Sequence, residues 1–269
     1  MILTYHKIGS QLELGITTVS RRRFAGHLDL YSELGLRPVL AGGVTGKVSR
    51  TGREPAPATE AARRTPNFDP CRGPDSSLAI TFDDGYESVF TEAFAEMTAR
   101  AWTGTVFVVA GSVGGTNTWD VRLSPRRFKH LSWAQISELA EAGFEIGSHT
   151  LSHRDLTRLD ADSLRRELVD SKRLIEDHIG RPVTSVSYPF GRYSQRVIDE
   201  AATAGYERGF TSSPSDGSDR MAMGRLGVYS IDGRSSLERK LGLRPGYRLE
   251  CIKNTVIAKL SLGTTLVKR

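Results

Sequence analysis

The chain is poor in the residues that most often announce a role. Only two of its 269 residues are cysteine, Cys71 and Cys251. They stand far apart and in no metal-binding spacing, which leaves room for one disulfide but excludes a disulfide scaffold. No apolar run approaches the length needed to span a bilayer. The opening Met1-Ile2-Leu3-Thr4-Tyr5-His6 has no basic segment leading into an apolar stretch. No signal peptide is read there, and a cytoplasmic protein, at most peripheral to a membrane, is expected. There is no internal repeat. Histidine is scarce, six in all and none after His178, so each one that follows a strand is worth weighing.

What is present is ordinary in bulk and uneven in detail. A hydrophobic content of 38% and a charged content of 25% suit a globular α/β protein of one large domain or two small ones. The formal charge is +6, but Arg234 to Arg269 carries nine Lys/Arg against two acids, a surplus of seven. The rest of the chain is therefore near neutral. Such a basic segment is either solvated or set against something anionic. With Ile252, Val256, Ile257 and Leu260 near Lys253 and Lys259, peripheral contact with an anionic membrane is one expectation. No nucleic-acid partner is expected.

The pattern centres on Leu78-Ala79-Ile80-Thr81-Phe82-Asp83-Asp84-Gly85-Tyr86. An apolar, β-prone run delivers two carboxylates to its end and breaks at a glycine. Acids at the carboxyl end of a buried parallel strand must be ligated, protonated or used, since unpaired buried charge is too costly. Ahead of it, Ile2 to Tyr5 reads as a strand ending at His6, Ser20 to Leu34 as a helix, and Arg37 to Leu40 as a strand. Residues 41–77 dissolve into Gly, Pro, Thr and Arg, the pattern of a long surface loop.

Strands and helices then alternate. Helices are expected over 87–101, 132–142 (opened by the capping box Ser132-Trp133-Ala134-Gln135), 160–179 and 194–204. Strands are expected at 105–110, 144–147, 183–188, 207–211 and 226–231. This alternation predicts a single α/β domain, a distorted (β/α) barrel of seven or so parallel strands over residues 1–231, followed by a basic extension over 232–269. His6, Asp83, Asp84, His149, His153 and Phe190 all follow strands, where barrel active sites lie. His149 and His153 stand four apart. One helical turn would set both imidazoles on one face to grip a divalent ion with a carboxylate from another strand. His27 and His130 are expected to face solvent. Phe82, Trp119, Trp133, Tyr188 and Tyr193 are candidates for apolar walls, though most are expected to pack in the core or behind the site, and Asp120 is a candidate for a substrate or loop contact.

Three motifs in order, Thr81-Phe82-Asp83-Asp84-Gly85, Ser148-His149-Thr150-Leu151-Ser152-His153 and Tyr188-Pro189-Phe190-Gly191, resemble those of the polysaccharide deacetylases, carbohydrate esterase family four with its nodulation-protein-B homology domain. The resemblance implies removal of acetyl groups from an N-acetylhexosamine-containing glycan or glycoside. It implies Asp84, His149 and His153 as metal ligands, most simply for Zn2+, with Co2+, Ni2+, Fe2+ or Mn2+ as alternatives. It implies Asp83 as the base toward the attacking water, the Phe190 backbone N–H as an oxyanion donor, and Tyr188 and Pro189 near substrate.

Two departures stand out. Ser187 occupies the place where the family usually carries an arginine that steadies the base. The late histidine that serves the family as general acid is missing. Leu3-Thr4-Tyr5-His6-Lys7-Ile8 resembles the opening of the circularly permuted exopolysaccharide and poly-N-acetylglucosamine deacetylase branch, in which the acid-bearing strand comes first. His6 is then the expected acid. Two rival readings share these residues: a deacylase of another amide or ester, and a barrel that binds glycans without turning them over.

Overall fold

The computed structural model describes residues 1–9, 16–44, 77–117, 127–213 and 219–266, the last eight as backbone only. Most of the 41–77 loop, together with Cys71, Trp119 and Asp120, lies outside the described residues.

The apolar runs form a parallel sheet that curls almost into a ring. Its strands are β1 (Ile2–Tyr5), β4 (Arg37–Val39), β5 (Ser77–Phe82), β6 (Thr105–Val108), β7 (Glu145–Ser148), β8 (Ser185–Ser187), β9 (Arg208–Thr211), β10 (Met223–Gly224) and β11 (Leu226–Gly227). They run in the order β10-β9-β8-β7-β6-β5-β1-β11, with β4 paired to the first half of β5. Every pair is parallel, Leu3 standing opposite Ile80 on one side of β1 and Leu226 on the other. The two edges, β10 and β11, belong to one stretch of chain with only Arg225 between them. The ring is therefore closed by a covalent link rather than a ladder. A small pair, β2 (Lys7–Ile8) and β3 (Thr18–Val19), stands apart.

Helices cover the outside, each where the 3.6-residue period placed one. They are α1 (Arg21–Glu33), a π-helical segment Val89–Phe94 leading into α2 (Ala95–Thr98), α3 (Trp133–Glu141), α4 (Ala161–Ile179) and α5 (Gln195–Thr203). The capping box at Ser132 and Gln135 is formed. Leu28, Phe24, Ile80, Leu139, Leu168 and Val197 fill the layer between sheet and helices. A smaller cluster of Ile2, Ala79, Phe107, Phe210 and Met223 forms a second core. Residues 232–258 join the main core through Leu237 and Leu241 of α6 (Arg234–Lys240) and its exit, ahead of α7 (Tyr247–Leu266).

His27 does not face solvent. It is buried on α1, its Nδ1 3.1 Å from the Tyr5 hydroxyl, which lies 2.8 Å from that of Tyr31. His130 is buried too. Helical periodicity put His27 on the inner stripe with Phe24 and Tyr31, and its polarity misled the expectation.

Burial drops the pKa of His27 from the usual 6.5 to about 4, further lowered by Arg23 and partly offset by Asp232. A depressed imidazole pKa stabilises the fold fully above pH 6.5, and that stability is lost as pH falls through 4. Over this window His27 alone accounts for a loss on the order of 3 kcal/mol. Equilibrium unfolding of His27→Asn should show a pH slope smaller by about 1.4 kcal/mol per unit between pH 6 and 4; an unchanged slope would refute the assignment.

Candidate active site

The carboxyl ends of β1, β5, β7 and β8 open onto one cleft of about 140 Å³. His6, Asp83, Asp84, His149, His153 and Phe190 all line it. Among the described residues, four of the five non-glycine residues with positive φ sit here: Asp84 (69°), Thr150 (69°), His153 (57°) and Phe190 (59°). Such conformations cost of order 1–3 kcal/mol each and persist only where surrounding structure holds them. Both sharp exits pair a strained residue with a glycine, Asp84 with Gly85 and Phe190 with Gly191. At Gly85 (φ 62°) a Cβ would crowd Val108, 3.0 Å from its Cγ1 and 3.2 Å from its Cα, so glycine is favoured there.

His149 and His153 are brought together, but not by a helix. Residues 149–153 form an irregular loop. Its amides find other partners than the i−4 carbonyl. Leu151 and Ser152 N–H donate to Glu167 Oε2 (3.0 and 2.9 Å), and the Ser152 hydroxyl to Glu167 Oε1. Thr150 N–H donates to Ser148 Oγ, and His153 N–H to Thr150 Oγ1. Glu167, buried on α4, thus acts as a template for the loop. The two imidazole centroids end 4.8 Å apart.

The resulting donor set suits a small divalent ion. His149 Nε2 and His153 Nε2 lie 3.6 and 3.4 Å from Asp84 Oδ1, and one ligand atom from each residue falls within 4.8 Å of the others. Ligands about 2.0–2.2 Å from a tetrahedral centre are spaced about 3.3–3.6 Å apart, so little movement is needed. His149 Nδ1–H donates to the Ser187 carbonyl (2.7 Å), which leaves the Nε2 lone pair facing Asp84. Burial lowers the pKa of both histidines, keeping the lone pairs free of protons. His130 Nδ1–H donates to the Asp84 carbonyl (2.9 Å), bracing the left-handed turn.

Asp83 has a partner that sequence reasoning missed. Arg225, 1% exposed, forks onto both its oxygens: Nη1 to Oδ1 at 2.8 Å and Nη2 to Oδ2 at 2.7 Å. The remaining donors reach Thr81 Oγ1, Ser187 Oγ and the Thr211 carbonyl. Its guanidinium lies over the Phe107 and Phe210 rings. Burial pushes the Asp83 carboxyl up, but Arg225, helped by His149 and His6, outweighs it and holds the group well below the usual carboxylate range. Ser187, where the family arginine was expected, is the clue: its short side chain accepts a hydrogen bond from an arginine arriving from the link between β10 and β11.

Tyr188 and Pro189 are not on the cleft wall. The Tyr188 ring turns into the protein and its hydroxyl donates to the Met221 carbonyl (2.8 Å), over the side-chain-free Gly209. Phe82 is core, and Trp133 stacks on His178 at 3.8 Å on the surface of α3. Tyr193 is part-exposed and stacks on Tyr188.

The polysaccharide deacetylase family profile matches residues 72–209, half of the chain. The chain belongs to the polysaccharide deacetylase family. It is 30% identical to YxkH of Bacillus subtilis over 149 residues (55% of this chain, 49% of that one). It is 26% identical to a chitooligosaccharide deacetylase of Sinorhizobium fredii over 132 residues (48% and 54%). The chain thus aligns with about half the length of these relatives. Among solved structures it resembles the Streptococcus pyogenes deacetylase PplD (19% identity, 91% of this chain and 97% of that one, TM-score 0.68). It also resembles IcaB from Ammonifex degensii (24%, 84% and 90%, TM-score 0.63). At these identities the likeness establishes a shared deacetylase fold.

Removing one partner from a buried pair typically costs 3–5 kcal/mol, because the other charge is left uncompensated. Arg225→Met should lose about that much in urea unfolding. Asp83→Leu/Arg225→Met should lose less than Arg225→Met alone. A double variant no more stable than the single would show that the pair is not coupled as drawn.

Proposed function

We propose that this family member is a metal-dependent N-deacetylase, hydrolysing the acetamide of an N-acetylhexosamine glycan or glycoside to acetate and a free amine. The observation that carries the reading is a metal-fitting trio, Asp84, His149 and His153, beside a second carboxylate, Asp83, that the trio does not use and Arg225 holds ionised. A glycan-binding barrel needs no such spare carboxylate. When bound, a divalent ion, in the first instance Zn2+, supplies Lewis acidity that acidifies the attacking water and polarises the acetyl carbonyl.

The chain's own groups do the rest. Asp83 takes the proton as the water oxygen adds to the acetyl carbon. Its depressed pKa makes it a reluctant acceptor but a ready donor, so the proton does not stay. His6 stands at the end of β1 in the same cleft; burial lowers its pKa, with Asp83 opposing. Its Nδ1 has no hydrogen-bond partner among the described residues. The imidazole is thus free to collect a proton and deliver it to the nitrogen as the C–N bond breaks. The Phe190 backbone N–H, on its strained turn against His153, is the oxyanion donor in this reading.

Acetate release from chitooligosaccharides and N-acetylglucosaminyl glycosides, measured beside bound metal, tests this. The wild type should hold about one ion, lose activity on chelation and regain it with Zn2+. Asp83→Asn should fall by a factor on the order of 10²–10⁴ with the ion retained, and His6→Ala by a similar factor. Full occupancy without turnover of any acylated substrate would replace this reading with the glycan-binding one. Turnover of aryl acetates alone would shift it to another acyl substrate.

A further inference from the structure

Helix α7 has two dissimilar faces, and both matter to the cleft. Its inner face is pinned to β11. Asn254 Oδ1 accepts from the Gly227 N–H (2.6 Å), while Lys240 Nζ donates to the Gly227 carbonyl (2.7 Å) and lies 3.4 Å from both Asp232 and Glu250. Lys253 binds Asp232 from the same helix. Ile257 and Ala258, also on this side, line the catalytic cleft, and α7 packs beside the Pro189–Gly191 turn.

On the opposite side, Leu249, Ile252 and Val256 are 68%, 59% and 50% exposed. Their spacing of three and four sets them in one stripe, about 170° round the helix from Asn254 and about 110° from Ile257. They make up three of the five large apolar side chains exposed among the described residues. Arg248 adjoins the stripe, exposed and with no carboxylate partner among those residues. Residues 234–269 carry the chain's whole basic surplus.

We propose that α7 seats the protein on an anionic lipid surface through this stripe, with the catalytic cleft opening at that surface. Apolar side chains with Arg248 beside them, on a segment of net positive charge, match the acyl boundary and the headgroups of such a surface. A second copy of the chain matches less well, because packing stripe on stripe would bring together two Arg248 side chains and two segments of like net charge. No helix is long and apolar enough to cross a membrane among the described residues, so the helix lies on the surface. Resting on the deacetylase reading above, this makes lipid-borne N-acetylated sugars the substrate class that meets the cleft.

Co-sedimentation with vesicles tests the seat without relying on activity. The full chain should pellet with phosphatidylcholine vesicles containing one-quarter phosphatidylglycerol, and hardly with phosphatidylcholine alone. Leu249→Ser/Ile252→Ser/Val256→Ser should lower partitioning at least about tenfold, and Arg248→Ala a few-fold in a salt-sensitive way. The residues are exposed, so circular dichroism, thermal midpoint and acetate release from a soluble glycoside should match the wild type. Three results would overturn the proposal: wild type left in the supernatant, equal pelleting of wild type and triple variant, or a dimer in sedimentation velocity that the triple variant abolishes. Vesicle binding without turnover of soluble glycosides would leave the seat standing and count against the deacetylase reading alone.

Discussion

The fork between Arg225 and Asp83 is the contact on which the centre of this molecule depends. Two opposite charges sit with almost no solvent at the carboxyl end of the sheet, and neither is tolerable there without the other. The pair also joins distant parts of the ring. Arg225 reaches β5 through Thr81 and Asp83, β8 through Ser187 and β9 through the Thr211 carbonyl. Orientation of the carboxylate and closure of the barrel are the same event. In the proposed reaction the cost is a weak base, which suits a site where the His6 imidazole lines the same cleft.

A second constraint is backbone strain held by buried polar groups. The turns at Asp84, Thr150, His153 and Phe190 are left-handed without being glycine. Each is braced from outside its own strand: Asp84 by His130, the histidine loop by Glu167, and the turn at Phe190 by Thr211, whose hydroxyl donates to the Gly191 carbonyl. The reactive groups are thus positioned by residues that never touch the cleft.

Much of this was legible in the sequence, and the reasons it was are local. Buried strands in a parallel sheet are continuous apolar runs, so polar residues at their ends stood out as His6, Asp83, Asp84 and His149. Helices announced themselves by period and caps. What failed was non-local. His149 and His153 were spaced like a helical turn, yet Glu167 fourteen residues on draws their loop out of helix. Tyr188 lies within a site motif, but its ring packs over Gly209. Arg225 sits between two-residue strands too short to show a pattern, and its partner is 142 residues away. Only the serine at 187 hinted that an arginine had changed strands. The basic surplus of residues 234–269 likewise concealed a helix whose inward face carries Glu250 and Asn254.

The placement of Arg225 also fixes the order in which the molecule can be completed. During synthesis β5, β6 and β7 emerge long before residue 225, so Asp83 waits for its counter-charge and Ser187 for its donor. Strands β1 and β9 keep open edges until the same short stretch supplies β10 and β11. Loop closure over such a separation is slow, and the unfinished edges are sticky in the meantime. The nascent chain must therefore be handled as an open sheet with an unpaired acid until the residues around Arg225 have left the ribosome.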